Sequence, residues 1–202
     1  MKYVPVWIFL MLVVLATACQ RENKSLVIQN SLPNGGPYTH PTGGQFQKRI
    51  FWTRVINQTQ TPIEFTIHFP ADSFPIPTSA GFYYKLFLPS DTMTLAKKSL
   101  VDYGATGLHA FWDTSLYQST WLQKTVNPKE EFLFYTALLM SGRGMVRTGD
   151  VLKDNLADIK ALAGIGAVRT GVVLKEKALY YKVNLGGPLD STLIPCGHIK
   201  VK

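Results

Sequence analysis

The chain has 202 residues and a formal net charge of +8, from 21 lysines and arginines against 13 aspartates and glutamates. The basic residues are scattered along the chain, which favours a diffuse positive surface over a dedicated polyanion site, and we expect no nucleic-acid partner. Only Cys19 and Cys196 are present, so the chain can form at most one internal disulfide bridge.

The first residues have the layout of a secretory signal peptide. Lys2 precedes a run of apolar and small residues from Tyr3 to Ala18, and polar residues follow directly after Cys19. The run is shorter than the about 20 apolar residues that a membrane-spanning helix needs. We therefore expect export and cleavage between Ala18 and Cys19, with an uncleaved anchor as the alternative.

The exit of this run, Leu15-Ala16-Thr17-Ala18-Cys19, resembles the lipobox of bacterial lipoproteins. The resemblance implies that the Cys19 thiol carries diacylglycerol and that the new amino group receives a fatty acid such as palmitate. The protein would then be held by membrane lipid in the bacterial envelope, on the periplasmic side and at the outer membrane. Plain secretion, with Cys19 bridged to Cys196, is the alternative.

The composition predicts one domain after the leader. Residues 1–18 are assigned to the signal peptide, 19–46 to a lipidated and partly ordered tether, and 47–202 to a single domain. Within the tether, Leu26–Ile28 predicts a short strand, and the glycines and prolines of 34–44 predict turns.

Period-two alternation begins near Ile50. The run Ile63–Phe69 places apolar residues on one face and Glu64, Thr66 and His68 on the other, so His68 is expected to be a solvated strand residue. Together with Ile50–Ile56 it predicts a hairpin with a five-residue connection. Tyr83–Leu88 predicts a third strand.

A short pattern, Pro-x-Asp-Ser/Thr, occurs three times after strand-like runs, at Asp72, Asp91 and Asp190. Aspartate in such loops can ligate calcium. Proline at a turn entry, followed by side chains that bond nearby amides, explains the pattern better. We predict strand terminators and no metal.

The segment from Met93 to Val126 loses the alternation. Thr106–Thr114 predicts a short helix with Thr106 as its N-cap. The helix carries His109, Trp112 and Asp113, which we take as a candidate ligand surface for carbohydrate. In the alternative, Phe111 and Trp112 close one end of a sandwich.

The apolar run Phe132–Met140 predicts a central strand that is buried on both faces. After it, 146–154 returns as 168–176 with seven of nine positions identical, which predicts a duplicated segment over 146–176 whose second copy is the genuine strand. A hairpin then leads into Leu179–Leu185, and Leu193–Val201 closes the chain. Cys196 is expected to be a small buried residue rather than a catalytic thiol.

These elements predict a mainly β fold, an antiparallel β-sandwich of immunoglobulin-like type with one or two short helices. The runs Phe51–Asn57, Phe69–Phe74 and Leu86–Pro89 resemble lipoproteins of Bacteroidota, a resemblance that implies the compartment but no activity. No catalytic motif or cofactor site is recognised. We expect a non-catalytic protein-binding or structural module. A carbohydrate or acidic-polymer binding module is the main alternative, and an envelope hydrolase is the weaker one.

Overall fold

A computed structural model describes residues 25–76, 80–141, 170–184 and 191–202. The signal peptide, Cys19, the first copy of the duplicated segment and Asp190 lie outside the described residues. Within them the protein is mainly β, with strands in two antiparallel sheets, one α-helix and two short 3-10 helices. The predicted β-sandwich is confirmed.

The first sheet has the order β1 (Leu26–Asn30), β3 (Gln45–Asn57), β8 (Glu131–Ser141), β6 (Tyr83–Phe87) and β5 (Phe74–Pro75), and β2 (Pro37–Thr39) pairs with the start of β3. Its longest strand is β3, which pairs with the long strand β8 on one side and with the short strands β1 and β2 on the other. The order β1-β3-β8-β6 corresponds to that of the A-B-E-D sheet of immunoglobulin constant domains, but the second sheet does not repeat their C-F-G order, because β11 (Ser191–Val201), the last strand, lies beside β4 (Ile63–Phe69).

The second sheet contains the last three strands of the chain. Its order is β7 (Thr120–Val126), β4 (Ile63–Phe69), β11 (Ser191–Val201), β10 (Ala178–Asn184) and β9 (Gly171–Lys175). The last strand, β11, therefore lies beside β4. The predicted hairpin after the second repeat copy is the β9–β10 pair, and β11 is the predicted closing strand.

Alternation in the sequence sets which residues of β4 enter the core. Ile63, Phe65, Ile67 and Phe69 are buried between the sheets, whereas His68 is exposed on the outer face, as predicted. Apolar area removed from water contributes about 25 cal/mol per Å², so this face stabilises the sandwich strongly.

The predicted hairpin between β3 and β4 is wrong, because the two strands lie in different sheets. The connection crosses from one sheet to the other around Asn57, whose side chain is buried. Its Nδ2 donates to the carbonyl oxygens of Thr61 and Val126, both at 2.9 Å, and its Oδ1 accepts from Thr59. These bonds satisfy backbone groups that a hairpin ladder would otherwise pair.

Strand β8 is buried on both faces, as predicted. Its inward residues, which include Phe134 and Leu138, pack in the core between the sheets. Its outward residues, which include Tyr135 and Leu139, pack in a second apolar cluster with Trp112 from the helix α1 (Leu108–Ser115). The helix thus forms a third layer over the first sheet.

One edge of the second sheet is closed by a side chain. Asn30, at the end of β1, donates from Nδ2 to the carbonyl oxygen of Val172 at 2.9 Å and accepts from the Val172 N–H at 3.0 Å. The same carboxamide oxygen accepts from Thr53 Oγ1 at 2.9 Å. At Val172, Asn30 therefore takes the place that a further strand would have beside β9, and it joins the two sheets at this side.

Candidate functional site

The helix α1 begins one residue later than the sequence predicts. Its N-cap is Gly107, which has φ 65° and whose carbonyl oxygen accepts from the Phe111 N–H. The predicted cap, Thr106, is wrong, because its hydroxyl and its N–H both donate to Asp91 Oδ2 instead. Glycine suits this position because a left-handed backbone has no steric cost there.

The predicted ligand surface on α1 is joined by a tyrosine from β2. Tyr38 Oη donates to Asp113 Oδ1 at 2.6 Å, and the Tyr38 ring lies 5.1 Å from the His109 ring and 5.2 Å from the Trp112 ring. Burial, together with the hydrogen bond to Asp113, raises the pKa of Tyr38 above its ordinary value. The phenol is therefore protonated at neutral pH and serves as a donor.

The structure divides the three predicted residues between surface and core. His109 and Asp113 are exposed, whereas Trp112 is completely buried and packs on the outer face of the first sheet. Its Nε1 has no hydrogen-bond partner within the described residues. Trp112 is thus a packing residue, but the alternative that Phe111 and Trp112 close one end of the sandwich is wrong about the place, because α1 covers the outer face of the first sheet. A ligand at the surface would meet His109 and Asp113.

A second candidate site lies where one strand of each sheet has part or all of one side without a pairing strand in the described part of the chain. On the side of β8 that faces β6, the pairing runs from Ser141 to Ala137 and stops there, because β6 ends at Phe87. Residues 131–136 of β8 pair only with β3 among the described strands. Strand β7 pairs with β4 and is the other edge of the second sheet, so its far side is also open in this part of the chain.

A groove of about 430 Å³ lies between these two edges. Four consecutive residues of β8, 132–135, and four of β7, 121–124, line it, and 88–92 closes one side. Consecutive residues point to opposite faces of a strand, so the walls of the groove are the strand edges themselves. The lining is mixed, and four of its thirteen residues are aromatic: Trp121, Phe132, Phe134 and Tyr135.

One residue of the groove lining, Trp121, is a large aromatic side chain exposed to solvent. Trp121 is 69% exposed, and Tyr117, which is 76% exposed, does not line the groove. Large exposed aromatic side chains are enriched where proteins bind partners. Trp121 lies opposite His68 in the β4–β7 register, on the outer face of the second sheet.

The charged groups of the groove are already engaged. Although burial acts to raise it, hydrogen bonds from Thr106 and Thr92 and the charge of Lys97 hold the pKa of Asp91 below its usual value. Asp91 is thus an ionised acceptor that fixes a turn, as the Pro-x-Asp pattern predicts at this position. Lys124 Nζ lies 3.5 Å from Glu130 Oε1.

Strand β7, and with it the groove, was not predicted from the sequence. In this strand Thr120, Leu122 and Val126 point toward the other sheet, but the third of the four positions on that face is Lys124, which interrupts the alternation. A charged residue on the inward face is a known feature of edge strands. Lys124 was therefore the signal in the sequence that a strand lies here at the edge of a sheet.

Cys196 lies inside the sandwich core and is 4% exposed, as predicted. Burial raises the pKa of its thiol to about 12, so the thiol is protonated at neutral pH and is a poor nucleophile. Among the residues that the structure describes, no three His, Cys, Asp or Glu side chains are grouped so that they could hold a metal ion.

The fold and the groove define an antiparallel β-sandwich with one open side. No protein-family model, no curated protein and no solved structure matches the chain. Across 25–76, 80–141, 170–184 and 191–202, none of the helices has the length and apolar character to span a bilayer.

Proposed function

We propose that this chain is an exported, lipid-anchored and non-catalytic module of the bacterial envelope that binds a segment of another protein in the groove between β7 and β8. Acylated Cys19 would hold it to the membrane. The observation that carries the proposal is the pair of strand edges that face one groove with the exposed Trp121 in its lining.

Open edges favour a polypeptide over other ligands. The N–H and C=O groups on the open side of β8 are matched best by the main chain of an extended segment, which supplies donors and acceptors at the same spacing. Residues 131–133 of β8 are exposed or half-buried, whereas 134–136 are buried. Because a strand rises about 3.4 Å per residue, the accessible part of this edge takes about 10 Å of a partner segment. Trp121 and the phenylalanines would contact its alternate side chains.

The charges near the groove support binding rather than catalysis. Asp91 is held by three hydrogen bonds that maintain a turn, and Lys124 is paired with Glu130. Catalysis by general acid and base requires a group that can exchange a proton near working pH. The lowered pKa of Asp91 does not suit that role.

The position of Cys196 supports acylation of Cys19. A disulfide bridge requires the two Cβ atoms to approach within about 4.5 Å. Cys196 lies within the core between the sheets, so residue 19 would have to enter that core to reach it. Intact mass spectrometry of protein purified from membranes tests the anchor. We expect cleavage before Cys19 and added acyl chains, both abolished in Cys19→Ser, whereas an intact Met1 or a Cys19–Cys196 bridge would exclude acylation.

A displayed library of random twelve-residue peptides tests the groove. We expect peptides whose binding falls about tenfold or more in Trp121→Ala, as for a tryptophan that contributes strongly to an interface. The matched control is Tyr117→Ala, which removes an equally exposed aromatic ring outside the groove and should leave binding unchanged. If no peptide depends on Trp121, the groove is not a peptide site.

Backbone methylation of a selected peptide tests how it binds. A strand that pairs with one edge directs every second N–H toward that edge. N-methyl groups placed one residue at a time should therefore weaken binding with a period of two residues. Hydrogen exchange should show new protection in 131–133, the part of this edge that is not buried in the free protein. Uniform sensitivity, without protection of β8, would contradict strand pairing while leaving a protein-binding groove intact.

A carbohydrate-binding module is the second candidate, and the exposed pair Trp121 and Tyr117 favours it. Sugar rings stack on exposed aromatic side chains, and His68 lies beside Trp121 on the same face. A glycan array decides between the candidates. Glycans whose binding is lost in Trp121→Ala would support the carbohydrate module and would count against the peptide groove.

A further inference from the structure

Ser25 and Leu26, the first two described residues, lie at one end of the sandwich. Leu26 pairs with Asn57, and the Ser25 carbonyl oxygen accepts from the Gln58 N–H at 3.3 Å. The strand registers bring four further segments to this end, which we call the anchor end. It comprises residues 25–26, 57–63, 126–131, 175–178 and 198–202.

The anchor end carries an excess of positive charge. Lys129, Lys175, Lys177 and Lys200 are exposed there, and within the described residues none of them forms an ion pair. The one acid at this end without such a pair is Glu176. The other two acids at this end are paired, Glu130 with Lys124 and Glu131 with Arg54, and the neighbouring Glu64 is paired with Lys202.

The covalent distance to the anchor is short. Ser25 follows Cys19 by six positions, and a fully extended chain spans at most about 3.5 Å per residue, or about 20 Å here. An acylated Cys19 would thus keep the anchor end within about 20 Å of the bilayer surface. The Debye length at physiological ionic strength is about 8 Å, so lysines at that end can approach within range of charged head groups.

We propose that the anchor end is a membrane-docking surface, and that its four exposed lysines bind the head groups of anionic lipids and hold the sandwich upright on the bilayer. The inference rests on the proposed anchoring through Cys19. Charge complementarity selects anionic over zwitterionic lipid, because each lysine near an anionic surface favours binding by about fivefold. The groove between β7 and β8 would then lie at the side of the molecule.

Lysine footprinting of the full-length lipoprotein tests the proposal without removing any residue. The purified protein is reconstituted in phosphatidylcholine vesicles or in vesicles with one third phosphatidylglycerol, and its lysines are acetylated briefly and quantified by mass spectrometry. We expect Lys129, Lys175, Lys177 and Lys200 to react at least threefold more slowly in anionic vesicles. Lys98, exposed on the outer face of the first sheet, is the internal control.

Salt and charge variants complete the test. In about 0.5 M salt the protection should disappear, because the Debye length falls below about 5 Å. In the variant Lys175→Gln, Lys177→Gln and Lys200→Gln, Lys129 should lose its protection, whereas Lys98→Gln should leave it unchanged. Equal reactivity of Lys129 in neutral and anionic vesicles would overturn the proposal.

Flotation separates failure of this inference from failure of the anchor. If Cys19 is not acylated, the protein will not float with neutral vesicles, and the anchoring proposal fails. If the protein floats with both kinds of vesicle but no lysine of the anchor end is protected, anchoring stands and the docking surface does not exist.

Discussion

Asn57 offers the sharpest test of how the chain crosses between the sheets. The change is Asn57→Ala, which removes the buried carboxamide and leaves the backbone otherwise intact. Four hydrogen bonds disappear: two donated to the carbonyl oxygens of Thr61 and Val126, and two accepted from Thr59. The side chain is 0% exposed, so water does not replace these bonds without a local opening of the structure.

The expected loss follows from these bonds. An intramolecular hydrogen bond contributes about 1 kcal/mol net, and a buried partner left without a bond costs about 1–3 kcal/mol. Partial relaxation lets some carbonyl groups reach water. We therefore expect the free energy of unfolding to fall by about 3 kcal/mol. That is a large part of the about 5–15 kcal/mol that a domain has in total.

Urea unfolding of the full chain, followed by tryptophan fluorescence, measures this change. The midpoint should fall while the slope with urea stays constant, because the surface exposed on unfolding is unchanged. Asn34→Ala is the matched control. Its amide makes only an exposed contact of 3.4 Å with the Leu100 carbonyl oxygen, so we expect a change within about 0.5 kcal/mol. A loss below about 1 kcal/mol in Asn57→Ala would refute the account of the crossover.

Three further predictions concern buried groups. Because burial raises the pKa of Cys196 from 9.0 to about 12, its contribution to stability is complete below pH 9 and is lost as the pH rises toward 12. Alkaline urea titrations should show a slope smaller by about 1.4 kcal/mol per pH unit in Cys196→Ala over this range. Trp112→Ala should lower the free energy of unfolding by about 3–5 kcal/mol, and exposed His109→Ala by less than about 0.5, in the same urea assay. Asn30→Ala removes three hydrogen bonds at the β9 edge, so a loss of about 2 kcal/mol and increased light scattering at high concentration are expected.

The strands were predictable where the burial period was regular. Ile63–Phe69 alternates without interruption, and Phe132–Met140 is apolar on both faces because a helix covers the outside of its sheet. The partners of the strands were not predictable. Nothing local distinguishes a five-residue hairpin loop from a crossing between sheets, because the difference lies in the bonds that buried Asn57 makes to Val126, far along the chain.

The groove between β7 and β8 was harder to predict, because it is formed where one side of β7 and part of one side of β8 have no pairing strand among the described residues. Trp121 and Phe132 are eleven positions apart in the sequence, and they share a groove only because β6 ends early and β7 lies at an edge. Sequence patterns report the burial of side chains but not the neighbours of a backbone edge. His109 and Asp113 were found because a single short helix presents both.

The bond between Asn30 and Val172 also limits how copies of the protein can associate. A sheet grows into a fibre only if strands can join at both of its sides, so that each copy recruits another. In the second sheet one of these sides is occupied by an asparagine from the same molecule. A copy that approaches β9 must first displace the Asn30 side chain from Val172, so these hydrogen bonds disfavour growth of the second sheet at that side.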